Sequence, residues 1–224
     1  FHKKPKHTIS FVTIYVNPLQ FDNKDDFIHY PRLIEKDLEK CKQNEIDLVY
    51  APATNISDDI DFDENIDLPK FTRYLCGATR HNHFLGVYKI IKHLFSIIEP
   101  DFACFGKKDY QQLLLIKYIA KTYFPYLRII EVDTVRENNI ALSSRLRRLN
   151  NNSLERAKMI YETLLDIRRH LIKGDEFHEI KDKFINKGIR VVLDLRRNFS
   201  HKIIGDRAYS HNKKIINIPF YFLY

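Results

Sequence analysis

Residues 101–106, DFACFG, form an apolar stretch that runs into Lys107, Lys108, Asp109, Tyr110, Gln111 and Gln112. A turn accounts for Gly106 but not for the two cations, the carboxylate and the two amides that follow it. Lysine supplies a mobile point charge, amides supply donors and acceptors together, and a turn opening a helix presents backbone N–H groups to an anion. These types in one stretch suit a site that holds a phosphate beside a small polar acid. Two further clusters carry matching chemistry: Asn17 and Gln20 in NPLQF (17–21), and Ser143, Ser144 and Arg145 in ALSSRLRR (141–148), where small hydroxyls adjoin the rigid fork of a guanidinium. Each cluster also has a plainer reading. Lys108 and Gln112 are solvated at a helix start, Gln20 is a turn residue near Pro18, and SSRLRR is a charged loop. His81 and His83 suggest a metal pair, but no third ligand stands at metal spacing, so a surface or hydrogen-bonding role is the simpler reading.

The elements that must position these residues alternate in period. TISFVTIYVN (8–17) is a near-continuous apolar run that suits a strand buried on both faces, and IDLVYAP (46–52) is a second strand ended by Pro52. Between them a helix opening at Pro31 places Leu33, Ile34, Leu38 and Cys41 on one stripe. After an acidic loop (57–67), helix spacing returns from Phe84 to Ile98, with Val87, Ile90, Ile91, Leu94, Phe95 and Ile98 apolar. DFACFG is a strand, 109–124 a helix and LRIIEV (127–132) a strand again. Strands alternating with helices predict an open, Rossmann-like parallel sheet with helices on both faces. Such sheets bind ligands at the carboxyl ends of their strands, where all three polar clusters fall. Beyond Asp133 the character changes. A polar loop leads to a helix from Ser153 to about Lys173, started by Asn152 with Glu155 three residues on. A second helix near 176–187 and strands at IRVVLDL and KIINIPFYF complete a smaller α+β unit, dividing the chain into 1–134 and 135–224.

Composition bounds the function. Of 224 residues 44% are hydrophobic, a globular share, and no apolar run approaches the roughly 18 residues of a membrane helix, so a soluble protein is expected. The opening residues carry cations without an apolar core and cleavage site, which points to a cytoplasmic address. Cys41, Cys76 and Cys104 are odd in number and lack CxxC spacing, which argues against a disulfide framework or zinc site. A net charge of +8 invites a nucleic-acid reading, but acidic residues interleave nearly everywhere and solvated helix faces explain the charge better. With six glycines the chain has neither GxGxxG nor a Walker loop, so side chains and helix ends must hold any phosphate.

TIYVNPLQF, YPRLIEKDL, DLVYAP, GATRHNHFLGV, FGKKDYQQ and ALSSR, in this order and at these spacings, resemble the pantothenate synthetase family of ATP-dependent pantoate:β-alanine ligases over about residues 8–165. The resemblance implies a two-step reaction: pantoyl adenylate forms with release of pyrophosphate, and the β-alanine amine then displaces AMP. It implies that Gln20 and Gln112 hold pantoate's hydroxyls and carboxylate with Asn17 beside them, and that Lys108 contacts the ATP phosphates and Asp109 the ribose region. Gly106 and Val135 fall in the implied ATP site, and Ser143, Ser144 and Arg145 match a segment that closes on the triphosphate. Lys108, Ser143, Ser144 and Arg145 are thereby the implied catalytic set. Arg80, Tyr30 and Asp37 match more loosely, Asp37 as a neighbour of Mg²⁺. Pantoate, β-alanine and ATP are the implied substrates and a homodimer the implied assembly, with residues 135–224 closing over the site and no membrane involved.

Departures from the family pattern accompany these matches. Lys107 stands where an acidic residue is normal, making the local field more positive; Leu146 stands where Asn is common, and TRHNHF lacks the usual Pro and Gly. LDLRRNF and KIINI resemble the family only faintly. The family's first strand and its His-x-Gly-His turn have no counterpart, and His2 and His7 lack the intervening Gly. The expectation is a fragment or decayed form of the ligase. An inactive remnant that only dimerises and a basic nucleic-acid binder are the alternatives.

Overall fold

A computed structural model describes residues 7–52, 56, 60, 66–144, 146, 149–176 and 179, together with the backbone of 207–209 and 215–217. The chain forms two compact units, Phe1–Pro69 with Arg80–Glu99, and Lys70–Thr79 with Pro100–Tyr224.

In the first unit β1 (Phe11–Thr13) pairs in parallel with β2 (Leu48–Tyr50), Val12 opposite Val49. Two short helices make the crossover, α1 (Lys24–Ile28) and α2 (Ile34–Gln43). The register is pinned outside the ladder: the backbone N–H and hydroxyl of Ser10 both donate to Asp47 Oδ2 (2.6 and 2.7 Å), and the Asp47 N–H donates back to Ser10 Oγ (3.0 Å). Paired strand covers only three residues of the apolar run 8–17. It is not buried on both faces, because Ile9 and Phe11 are 75% and 40% exposed. The α2 stripe is likewise only partly covered, with Ile34 and Leu38 each 42% exposed. What organises this unit is α4 (His83–Ile98), whose Ile90 and Leu94 form a core with Ile56, bordered by Tyr15, Tyr50, Ile60, Ile91 and Ile98. Glu99 leaves the helix in the left-handed region (φ 47°), and Pro100 cannot continue it.

In the second unit β3 (Phe102–Gly106) pairs in parallel with β4 (Arg128–Val132), Gly106 opposite Val132. The crossover is α5 (Tyr110–Tyr123), entered through a 3-10 turn at Lys107–Asp109. Leu113, Leu115, Ile116 and Ile119 of α5 are at most 1% exposed, and each such side chain stabilises by about 1.5–3 kcal/mol. A second 3-10 turn (Lys70–Arg73) and α3 (Cys76–Thr79) belong to this unit although they precede α4 in sequence.

The segment expected as a plain polar loop after Asp133 contains a tight hairpin, β5 (Arg136–Glu137) and β6 (Ile140–Ala141). Asn138 and Asn139 both adopt positive φ (50° and 65°), the conformation a two-residue turn of right-handed strands requires. The hairpin is tied to α6 (Asn151–Lys173): the Arg136 guanidinium lies 3.9 Å from the centre of the Tyr161 ring, and Asn139 donates to Glu162 (3.2 Å). The cap of α6 is Asn150, whose side chain accepts the Ser153 N–H at 2.9 Å, rather than Asn152. Ala157, Leu164, Ile167 and Leu171 make its buried stripe. Strands β7 (Arg207–Tyr209) and β8 (Ile215–Asn217) pair antiparallel, β8 within the expected KIINIPFYF strand. IRVVLDL lies outside the described residues, as does the second helix near 176–187 apart from Glu176 and Glu179. No described helix is long and apolar enough to cross a membrane.

Candidate functional site

The sequence-derived candidates fall on both units; Asn17 and Gln20 follow the parallel strand β1, and Gly106 to Gln112 follow the parallel strand β3. On the first unit, the chain leaves β1 and makes a 3-10 turn, Pro18–Gln20. Asn17 is 2% exposed and works inside the fold: its Oδ1 accepts the Leu19 N–H (3.1 Å) and its Nδ2 donates to the Gly86 carbonyl of α4 (3.0 Å). A Cβ on Gly86 would lie 2.4 Å from the Leu19 carbonyl carbon and oxygen and 2.8 Å from Gln20 N, so only glycine lets the turn rest on the helix. His83 Nδ1 meets the Gln20 carbonyl at 2.9 Å, and the Asn82 N–H donates to Asp22 Oδ1 at 3.3 Å. The Gln20 amide is half-buried and has no hydrogen-bond partner among the described residues. Beside this turn Pro18, Leu19, Phe21, Asn82, Leu85, Gly86 and Lys89 line an open cavity of about 300 Å³.

On the second unit, the stretch 105–112 is sorted by the fold into two kinds of residue. Lys107 Nζ meets Asp133 Oδ1 at 2.6 Å, joining the ends of β3 and β4. That partner offsets the extra positive charge expected from Lys107. Gln111 is 4% exposed; its Oε1 accepts the Cys76 N–H (3.2 Å) and its Nε2 donates to the carbonyls of Phe71 (2.8 Å) and Tyr74 (2.7 Å). Gln111 ties interior backbone groups together, and Lys107 is taken up by a surface ion pair. Their neighbours make no comparable contact. Lys108 is exposed, with one loose contact to Asp109 at 3.6 Å, and Gln112 is half-buried with no partner among the described residues. Gly106 has an ordinary φ of −74°, and an added Cβ would meet nothing within 4 Å, so neither turn nor packing requires glycine there. Asp109 precedes α5 without a side-chain cap bond, leaving the first N–H groups of the helix uncapped by it.

Val135 follows β4, is 61% exposed, and accepts the Leu142 N–H through its carbonyl (3.1 Å). Ser143 and Ser144 are half-buried just after the hairpin, and Arg145 lies outside the described residues. Asp37 sits half-buried in the first turn of α2, and its carboxylate has no partner among the described residues. Tyr30 packs edge-on against Phe21, ring centres 5.4 Å apart, and Arg80 is exposed. Among the described residues no three His, Cys, Asp or Glu side chains are grouped to hold a metal, and His83 of the HNH triplet makes a hydrogen bond to backbone instead. Sequence reasoning missed the roles of Gly86 and Gln111. A lone glycine inside the apolar period of α4 is the signal for the first; nothing local marks the second.

Comparison with known proteins accounts for the pattern. The family model described as pantoate-beta-alanine ligase matches residues 2–209. A pantothenate synthetase of Buchnera aphidicola subsp. Acyrthosiphon pisum (strain Tuc7) is 36% identical over 233 residues, covering 93% of this chain and 82% of the relative. That of Aliivibrio salmonicida (strain LFI1238) is 36% identical over 174 residues, 76% of this chain and 58% of the relative. The crystal structure of pantothenate synthetase from Thermus thermophilus superposes with a TM-score of 0.71 at 30% identity, covering 81% of this chain and 67% of that one. The Francisella tularensis ligase, solved in complex with beta-gamma ATP and beta-alanine, gives 0.70 at 29% identity over 85% of this chain and 73% of that one. Two parallel strand pairs with helical crossovers, a turn packed on a helical glycine, and a match over nearly the whole length lead to one conclusion: this chain has the Rossmann-like α/β fold of the pantoate-beta-alanine ligases and belongs to that family of enzymes.

Proposed function

We propose that this chain joins pantoate to β-alanine at the expense of ATP, through a pantoyl adenylate. A pantoate carboxylate oxygen attacks the α-phosphorus and pyrophosphate departs. The β-alanine amine then attacks the acyl carbon, AMP leaves with the bridging oxygen, and the amine nitrogen gives up a proton. In-line displacement at phosphorus needs positioning and neutralised charge more than an acid–base pair, which suits an inventory of cations, hydroxyls and amides.

The observation that carries this reading is the sorting within residues 105–112: Gln111 is engaged by interior backbone groups and Lys107 by a surface ion pair, whereas packing does not require Gly106 and neither Lys108 nor Gln112 has a comparable side-chain partner among the described residues. Lys108 would meet the phosphates, with Gly106, Asp109 and Val135 along the nucleotide. Gln112 and Gln20 would hold pantoate, and Ser143, Ser144 and Arg145 would meet the triphosphate. Asn17 serves this site by shaping the Gln20 turn. ATP and β-alanine as substrates are supported by the Francisella tularensis complex. Mg²⁺ bound at the phosphates would neutralise the developing charge; a carboxylate such as that of Asp37, without a partner among the described residues, fits an ion that takes one or two carboxylates and otherwise phosphate and water. Residues 1–134 would supply most of the nucleotide and pantoate contacts and 135–224 the remainder.

The test is AMP formation from ATP with each substrate withheld in turn. Pyrophosphate release with pantoate alone, and AMP release only when β-alanine is added, are expected. A full-length chain that binds none of the three substrates would refute the reading, and salt-sensitive binding of DNA or RNA in its place would favour a nucleic-acid role.

A further inference from the structure

We propose that His83 is a positioning residue for pantoate binding, acting through the Gln20 turn; this rests on the reading of Gln20 as a pantoate contact. The turn closes least tightly at Gln20 itself. The Gln20 N–H reaches the Asn17 carbonyl at 3.4 Å, the outer limit of a hydrogen bond, whereas the Leu19 N–H to Asn17 Oδ1 and Phe21 N–H to Pro18 contacts, both 3.1 Å, are of ordinary length. External ties fix it, and three of them act on residues beside Gln20: Asn17 on Gly86, Leu19 on the bare face of Gly86, and Asp22 on Asn82. Among the described residues outside the turn, His83 is the one whose side chain hydrogen-bonds the Gln20 backbone, its Nδ1 meeting the Gln20 carbonyl at 2.9 Å.

The chemistry of that contact fixes the proton. A carbonyl only accepts, so Nδ1 carries the hydrogen. Neutral imidazole in this tautomer and imidazolium both donate from Nδ1, so the tie survives protonation. The ring is held by an edge contact to Phe84, centres 4.9 Å apart, and His83 is the first residue of α4, the helix that carries the Ile90 and Leu94 core. The hydrogen bond therefore references the Gln20 backbone to the most firmly packed element of its unit.

The test compares His83→Phe, which keeps an aromatic ring but has no donor, with His83→Asn, whose Nδ2 reaches roughly the position of Nδ1. Both are made alone and in a Gln20→Ala background. Michaelis constants for pantoate and ATP are measured, with calorimetric pantoate affinity alongside. Expected are a pantoate KM about tenfold higher in His83→Phe, the loss of one hydrogen bond, an ATP KM unchanged within about twofold, recovery in His83→Asn, and no further loss from His83→Phe once Gln20 is alanine. An unchanged pantoate KM in His83→Phe overturns the proposal, as do equal rises for both substrates without rescue by Asn, or a full additional loss in the Gln20→Ala background. If Gln20→Ala itself leaves pantoate affinity intact, or the unaltered chain binds no pantoate, the reading of Gln20 fails and the proposal falls with it.

Discussion

Gly86→Ala is a one-carbon change whose effect can be worked from distances. The new methyl would start 2.4 Å from the carbonyl carbon and oxygen of Leu19 and 2.8 Å from Gln20 N, all backbone atoms with no rotamer to change. Carbon contacts settle at about 3.5–4 Å, so turn and helix must separate by roughly 1 Å. Overpacking of this kind costs about 1–3 kcal/mol, and the better helix propensity of alanine returns up to about 1 kcal/mol. A net loss of about 1 kcal/mol follows, a fall in Tm of roughly 2–4 °C for a chain of this length. The same separation carries the Gln20 amide out of bonding range of a bound carboxylate. Losing a hydrogen bond to a charged group, about 1.5–3 kcal/mol, raises the pantoate KM roughly 10- to 100-fold with little change for ATP. Thermal melts and initial-rate kinetics on the same preparation read both effects. A variant as stable as its parent, with an unchanged pantoate KM, would refute the argument. A lower Tm with unchanged KM would keep the packing and remove Gln20 from the site.

Three other substitutions probe separate parts. Lys108→Ala should leave Tm unaltered and lower pyrophosphate release on the order of 10²–10³-fold; an unaltered rate excludes Lys108 from the chemistry. Gln112→Leu should raise the pantoate KM about tenfold without destabilising, whereas Gln111→Leu should lower stability by roughly 1–3 kcal/mol because the Cys76 N–H loses this acceptor and the Phe71 and Tyr74 carbonyls each lose one of their donors. Similar effects of the two on stability would contradict the division of labour. Asn150→Ala should lower stability by about 1 kcal/mol, and Asn152→Ala by much less, as denaturant titration would report.

Much of the frame was legible because apolar period is a local property. The α4 stripe from Val87 to Ile98, the strands at 102–106 and 128–132 and the crossover helix between them follow from spacing alone. Boundaries were less legible. Three consecutive asparagines, 150–152, can each cap a helix; which one does so depends on where the stripe of Ala157, Leu164, Ile167 and Leu171 must face. The hairpin at 136–141 was missed because its turn is Asn-Asn without the glycine that usually announces a positive φ. At the site, residue types pointed to phosphate and acid recognition. What spacing cannot disclose is which member of the pairs Lys107/Lys108 and Gln111/Gln112 is taken up by its own unit. Adjacent side chains point about 100° apart in an α-helix and about 120° apart in a 3-10 turn, and the partners that engage them, Asp133 and residues 71–76, are distant in sequence.

The side chain of Gln111 also sets an order of events during synthesis. Its partners Phe71, Tyr74 and Cys76 lie 35–40 residues earlier, and at roughly 5–20 residues per second the ribosome takes seconds to deliver the amide that fixes them. Throughout that interval the segment Lys70–Thr79 has left the tunnel ahead of the unit it belongs to, while α4, which separates it from the rest of that unit in sequence, emerges in between. The first unit therefore has its principal helix in hand before the second can close, and the Gln111 ties of the second shut a loop of 35–40 residues that contains that helix.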